Sequence, residues 1–222
     1  MNFKSIIKGF IPQIVFNNYN TLKVIVNNFK FVKNMNYNKW QSAGRPLPPP
    51  HVVKQNVIRE YCNSFKPETM IETGTYLGQM VYSQLDNFKK IISIELSKDL
   101  HTQAVKRFKK YKNVKLLSGD SSEVLSELAK SGELNMQCLF WLDGHYSAGF
   151  TALGNKETPI LEELETILGT NQKHIILIDD ARCFVGENDY PTIEELRKYI
   201  INRNSEYSIS VKDDIIRVVP NS

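Results

Sequence analysis

The sequence predicts an α/β fold: a seven-stranded, mostly parallel sheet with helices on both faces, ending in an antiparallel hairpin. Three observations predict it. From residue 55 onward, short apolar runs of strand length alternate with segments of helical periodicity, five times over. Each parallel strand needs a crossover, usually a helix, so five β-α units in series imply a parallel sheet covered on both sides. The last two apolar runs, 207–211 and 215–219, are joined only by Lys212-Asp213-Asp214, which suits a hairpin.

Taken in order, residues 55–63 read as a helix, and 69–72 as a short apolar strand that runs into a Gly-rich turn. Residues 78–87 follow as a helix, 90–95 as the second strand and 98–111 as a basic amphipathic helix. The third strand covers 114–117 and its helix 121–130. The fourth, 138–142 (CLFWL), is apolar throughout, as expected of a strand buried on both faces. Pro159 opens a helix to 168, in the first turn where its missing N–H costs little. The fifth strand is 174–178, and Pro191 opens a last helix to 202.

The N-terminal part reads differently. Of 28 basic residues, nine lie in the first 59 positions, where there is no Asp or Glu; the rest of the chain holds 19 basic against 24 acidic residues, a net −5. Two apolar stripes run at helical spacing: Phe3, Ile6, Ile7, Phe10, Ile11, Ile14 and Val15, then Leu22, Ile25, Val26, Phe29 and Val32. Lysines punctuate both, and Pro12 breaks or kinks the first. Either the pair docks on protein, or residues 1–33 lie on an anionic membrane surface as interfacial helices. Gly44-Arg45-Pro46-Leu47-Pro48-Pro49-Pro50 reads as an extended linker. The chain is therefore divided into a basic helical extension with its Pro-rich linker, 1–50, and an α/β domain, 51–222.

Composition excludes several classes. At 41% hydrophobic and 23% charged residues the chain is neither fully disordered nor collagen-like. Three scattered cysteines, Cys62, Cys138 and Cys183, give neither a disulfide framework nor a zinc spacing, which points to a reducing compartment. No apolar run reaches 18 residues, and no signal-peptide pattern is recognised. The expected location is cytoplasmic; the membrane alternative for residues 1–33 would place it at the inner face of the membrane. The acidic body lacks an aromatic-basic face, so nucleic acid is not an expected partner. The apolar arm is a plausible contact in a homo-oligomer.

In open parallel sheets, ligands bind beyond the carboxyl ends of the strands. All five parallel strands end in acids: Glu72, Glu95, Asp120 (after Gly119), Asp143 and the pair Asp179-Asp180. Asp and Ser also cap the helices that follow, and for Ser121 and Ser122 capping and function both stay open. Five in one row exceed what capping needs. Gly74 and Glu95 are 21 residues apart, near the separation at which an acid binds ribose hydroxyls. The glycines are spaced G-x-x-x-G, with Thr75 and Tyr76 where a pyrophosphate wants bare backbone. A nucleoside without phosphates fits that loop better.

The string Ile71-Glu72-Thr73-Gly74-Thr75-Tyr76-Leu77-Gly78, then Glu95, then Gly119-Asp120, resembles the class I S-adenosylmethionine-dependent methyltransferases over residues 55–222. The resemblance implies a Rossmann-like methyltransferase fold. It implies that Glu72, Thr73, Gly74, Thr75, Tyr76 and Gly78 hold the amino-acid tail of the cofactor and Glu95 its ribose. It places Asp120 and Ser121 at the adenine, and Asp143 beside the cofactor.

Asp143, Asp179 and Asp180 end neighbouring strands of such a sheet. Three converging carboxylates repel unless a cation or a proton intervenes, and hard oxygen ligands suit Mg²⁺. This resembles the divalent-metal-dependent sugar O-methyltransferases, with Asp143, Asp179 and Asp180 as metal ligands. His145, in Asp143-Gly144-His145-Tyr146, then takes the position of a general base beside a catalytic Asp143. Tyr146 is a candidate substrate contact. Arg182 is placed either on an acidic group of the substrate or in a surface ion pair. Residues 147–157, with Gly149 and Gly154, read as a substrate lid or a passive loop. His51, His101 and His174 are assigned no chemistry. The expected activity is S-adenosylmethionine-dependent methylation of a sugar hydroxyl in glycan or secondary-metabolite biosynthesis, with Mg²⁺ or another divalent metal. The alternatives are a metal-independent methyltransferase acting on a small molecule, and a non-catalytic nucleoside-binding module.

Overall fold

The structure, a computed structural model, describes residues 22–24, 26–143 and 158–221. In chain order its elements are α1 (Lys30–Ser42), α2 (His51–Phe65), β1 (Thr69–Thr73), α3 (Gln79–Gln84), β2 (Lys90–Glu95), α4 (Lys98–Phe108), β3 (Val114–Ser118), α5 (Ser121–Lys130), β4 (Cys138–Leu142), α6 (Ile160–Leu168), β5 (Ile175–Ile178), a 3₁₀ turn (Ala181–Cys183), α7 (Ile193–Arg203), β6 (Tyr207–Lys212) and β7 (Ile215–Pro220).

All seven strands form one sheet in the order β3-β2-β1-β4-β5-β7-β6. β1 to β5 pair in parallel, and β7 inserts antiparallel between β5 and β6. The strand order reverses between β1 and β4. The chain leaves β1 toward β2 and β3, then returns to lay β4 on the other side, which opens a crevice at their carboxyl ends.

Period-two alternation along the strands divides the core. Ile71, Ile92, Phe140 and Ile176 point to one face, against Leu125 and Leu128 of α5, Leu164 and Ile167 of α6, and Leu196 and Ile200 of α7. Met70, Ile91, Trp141 and Leu177 point to the other, against Val57 and Ile58 of α2, Met80 of α3, and Ala104 and Phe108 of α4. Each large side chain so buried stabilises the fold by roughly 1.5–3 kcal/mol. Every residue of β1 and β4 is buried, as the unbroken apolar run of β4 requires.

Two elements depart from the expectation. α2 begins at His51, four residues early, with Pro50 as an extended N-cap; polar Lys54 and Gln55 hide the start of its apolar stripe. The helix expected over 22–32 is interrupted at Asn28-Phe29, and α1 runs on through three asparagines to Ser42. Packing overrides their weak helix propensity: Trp40 is buried against Val52 and Val53, with Tyr37 beside it. Trp40 Nε1 donates to the Pro46 carbonyl at 2.9 Å, and the Arg45 guanidinium lies 4.9 Å from the Trp40 ring centre. Arg45 also donates to both carboxylate oxygens of Asp213 at 2.7 and 2.8 Å. The segment before α2 is thereby tied to the β6–β7 turn.

Candidate functional site

The loop after β1 turns on residues of positive φ: Gly74 at 84°, Tyr76 at 47° and Gly78 at 70°. Gly74 and Thr75 donate their N–H groups to the Ile94 carbonyl at 3.0 and 3.2 Å, and Gly78 N–H closes a turn on the Thr75 carbonyl at 2.7 Å. Gly78 admits no side chain, because a Cβ there would stand 2.5 Å from Cε2 of Phe108. Glu95 fastens the loop from β2. One of its oxygens accepts from Tyr76 N–H at 2.8 Å, the other from Ser97 N–H at 2.9 Å. Burial raises the Glu95 carboxyl above its ordinary range, and these amides pull it back.

Glu72 and Ser93 are register partners on β1 and β2 and share a face. Ser93 Oγ donates to Glu72 at 2.5 Å and lies 2.6 Å from Thr75 Oγ1. Glu72 is buried, and burial drives its carboxyl well above the ordinary 4.5 against the Ser93 hydrogen bond; Asp143 and Glu95 push the same way. Among the described residues no ion pair to Glu72 is found. Asp120 is the N-cap of α5 and accepts from Ser122 N–H at 2.9 Å. Ser121 hydrogen-bonds Glu163.

Across the crevice, Asp143 continues β4. Its N–H reaches both the carbonyl and the hydroxyl of Thr73 at 3.2 Å. Asp143, Asp179 and Asp180 bring one carboxylate oxygen each to within 4.8 Å of one another, with Asp179 and Asp180 buried. Asp180 takes the left-handed conformation, φ 55°, which turns the chain into the 3₁₀ segment. Arg182 donates to Asp180 at 2.7 Å and also to Asp214, so the ion pair is the arrangement the structure shows for it.

Three residues of the site lie outside the strand-end pattern. Lys54, on α2, donates to Asp179 and lies 3.3 Å from Asp180 Oδ1. Burial lowers the Lys54 ammonium, but Asp179, Asp180 and Asp143 outweigh it and hold it above 10.5. Asp179 is nevertheless also raised, first by burial and then by Asp143, against the pull of Lys54. His51, one turn earlier on α2, hydrogen-bonds Gln55 at 2.9 Å. Burial first, then Lys54, lowers its pKa to about 4. The sequence assigned His51 no chemistry; it stands in the field of Lys54 and Asp143. Glu163, on α6, reaches Thr73 and Ser121; it is 1% exposed, and among the described residues its Oε1 finds no partner. A signal existed for it: Glu163 lies on the buried stripe Ile160, Glu163, Leu164, Ile167.

His145, Tyr146 and the loop 147–157 lie outside the described residues. His101 is on α4, and His174 is structural, its Nδ1 accepting from Cys138 N–H at 3.1 Å.

No protein-family model and no curated protein sequence matches the chain. Solved structures do. The O-methyltransferase TomG from Streptomyces achromogenes, solved with SAM, superposes with a TM-score of 0.56 at 13% identity over 86% of this chain and 89% of that one. An O-methyltransferase from Bacillus cereus, solved with SAH, gives 0.57 at 13% identity over 97% and 96%. One from Klebsiella pneumoniae, described as putative, gives 0.54 at 14% over 99% and 96%. The chain has the Rossmann-like methyltransferase fold. In that fold the β1/β4 crevice, with its Glu72–Gly78 loop on one side and its three aspartates on the other, is the natural place for a ligand.

Proposed function

We propose that the protein is an S-adenosylmethionine-dependent O-methyltransferase that methylates a sugar hydroxyl with the help of a divalent cation. One observation carries this reading: the crevice joins a loop and acid suited to a nucleoside to a three-carboxylate cluster suited to a hard cation, close enough for Glu72 to feel Asp143. The structural neighbours solved with SAM or SAH support the first half.

Glu95 keeps lone pairs free for ribose hydroxyls while its amide bonds hold it still. Glu72 is a buried carboxyl short of positive charge, and the ammonium of the cofactor's amino-acid tail would supply it. Tyr76, 45% exposed on that loop, and Asp120 and Ser121 at the start of α5 are assigned to the nucleoside. A cation fits the second half chemically. The donors are three carboxylate oxygens within 4.8 Å of one another, and two of the residues are buried, a set of hard ligands whose mutual repulsion a cation relieves. Asp143, Asp179 and Asp180 would hold the ion. When bound, it supplies Lewis acidity that lowers the pKa of an acceptor hydroxyl. His145 is two residues from Asp143, about 7 Å of chain at most, and is the base assigned to the hydroxyl proton. Arg182 and Tyr146 are the residues assigned to the acceptor. The protein's contribution to the transfer is to hold nucleophile and methyl donor in line.

Titration calorimetry tests this. Wild type should bind S-adenosylmethionine, then Mg²⁺, and Asp179→Ala should lose the Mg²⁺ heat alone. No cofactor heat at all would overturn the assignment. Cofactor heat without Mg²⁺ heat would favour the metal-independent reading, for which Lys54 as resident cation is the supporting observation. We also assign residues 1–33 to contact with an anionic membrane. No described helix is long and apolar enough to cross one, but Phe29, Phe31 and Met35 are exposed among Lys23, Lys30 and Lys33. Cosedimentation with phosphatidylglycerol vesicles, abolished by high salt, is the expected result.

A further inference from the structure

We infer that Lys54 is a tethered cation standing in for the metal: its ammonium holds the aspartate cluster together in the ligand-free protein, and a divalent ion enters only by displacing it. This deepens the metal-assisted reading and rests on it for the identity of the ion.

The geometry is specific. Lys54 Nζ contacts Asp179 and Asp180, two of the three proposed metal ligands, and Asp143 adds to the field it sits in. Its side chain is 14% exposed, and the Asp179 side chain is fully buried. Neither group can therefore exchange its partner for bulk water at little cost. The Asp180 N–H already engages Asp179 Oδ1 at 2.8 Å, so an ion bound by Asp179 competes with the ammonium for Oδ2.

The position of Lys54 is fixed from outside the cluster. α2 is anchored by Val53, Val57 and Ile58 in the core. Its first turn is clamped by Trp40 of α1, and the Arg45–Asp213 pair ties the preceding segment to the β6–β7 turn. The backbone at Lys54 has little freedom to retreat, but the side chain has four rotatable bonds. Displacement is thus a rotamer change, not a movement of α2.

Two neighbours set limits on the exchange. Arg182 holds Asp180 from the other side and stays with Asp214 when Lys54 leaves. His51, held neutral, adds no positive charge to the cluster. Among the described residues, Lys54 is therefore the cation whose removal most changes the charge at Asp179 and Asp180.

The test compares full-length wild type, Lys54→Met and Lys54→Arg, each stripped with EDTA. Mn²⁺ is titrated by calorimetry and by loss of its free-ion EPR signal, and thermal melts are run with EDTA and with Mn²⁺. Lys54→Met should bind Mn²⁺ at least tenfold more tightly than wild type. It should melt lower than wild type in EDTA and regain that loss in Mn²⁺, while Lys54→Arg should bind no more tightly than wild type. If Lys54→Met does not fold without metal, Lys54→Gln prepared in Mn²⁺ replaces it. Equal affinity in wild type and Lys54→Met, within twofold, overturns the inference, as does absence of Mn²⁺ binding in both. S-adenosylmethionine is titrated into the same wild-type sample. Cofactor binding with unchanged Mn²⁺ affinity sinks the inference alone. Tightened Mn²⁺ binding without cofactor binding sinks methyl transfer and leaves the inference standing.

Discussion

Glu163→Gln should flatten the pH dependence of stability. Glu163 is 1% exposed, where it meets Thr73 and Ser121, and among the described residues its Oε1 has no partner. Burial lifts its carboxyl from 4.5 to about 7, against those two hydrogen bonds and with help from Asp120 and Glu162. The sign follows from proton counting. Between the two values the folded protein keeps a proton that the unfolded chain has lost, so stability falls as pH rises. The contribution is fully present below the unfolded value and gone above about 7. A shift of this size corresponds to about 3 kcal/mol as a ceiling. Gln has the same shape and carries no charge at any pH. Urea unfolding of wild type and Glu163→Gln at pH 5, 6, 7 and 8 gives the difference, in which Glu72 and every other common group cancel. The variant should gain on wild type across that range by up to about 3 kcal/mol. Parallel profiles would refute the argument, and would mean that Glu163 is solvated or paired in a way that keeps it ionised.

Two further outcomes are expected at the Glu72–Gly78 loop and Glu95. Gly78→Ala combines a left-handed backbone with a Cβ 2.5 Å from the Phe108 ring, and should cost about 2–4 kcal/mol in chemical denaturation; Phe108→Leu in the same chain should restore part of it. Glu95→Gln turns an amide toward the N–H of Tyr76 or Ser97 and removes the charge that would meet the ribose. Its affinity for S-adenosylmethionine should fall at least about tenfold by calorimetry, and an unchanged Kd would remove Glu95 from the pocket.

The fold was legible because its signals are local. Unbroken apolar runs such as 138–142, and Pro or Asp at helix starts, mark elements that need no knowledge of their neighbours. The strand-end acids were legible for the same reason: in a parallel sheet every carboxyl end faces one rim, so chain position stands in for spatial position. Lys54 and His51 escaped that logic. They sit on the helix before β1 and reach the rim only because α2 packs across β4 and β5 with its first turn at their carboxyl ends. α1 was hidden by its asparagines, and only the Trp40 contact across 12 residues explains it. Glu163 was hidden by its type, since an acid in a helical run reads as solvated until its place on the apolar stripe is counted.

The Arg182 pair offers a test of how charge is distributed around the cluster. Asp214 closes on the 3₁₀ turn three ways: Oδ1 accepts from Arg182 N–H at 2.8 Å, its carbonyl from Ala181 N–H at 2.9 Å, and Oδ2 from the Arg182 guanidinium. The Asp214 side chain is 1% exposed and that of Arg182 39%. The two halves of the pair are therefore unequal. Arg182→Ala strands a buried carboxylate and strips Asp180 of its second cation, at a cost of about 3 kcal/mol or more. Asp214→Asn strands a guanidinium that water already reaches and that still holds Asp180 at 2.7 Å; its cost should be about 1 kcal/mol. Metal should separate them further. Arg182→Ala leaves the aspartate cluster short of one more positive charge, so Mg²⁺ should recover part of its lost stability in urea. Asp214→Asn leaves the cluster as it was, and Mg²⁺ should help it no more than wild type. Equal losses, or equal recovery in both variants, would mean that Asp180 and Asp214 do not share Arg182 in the way the geometry requires.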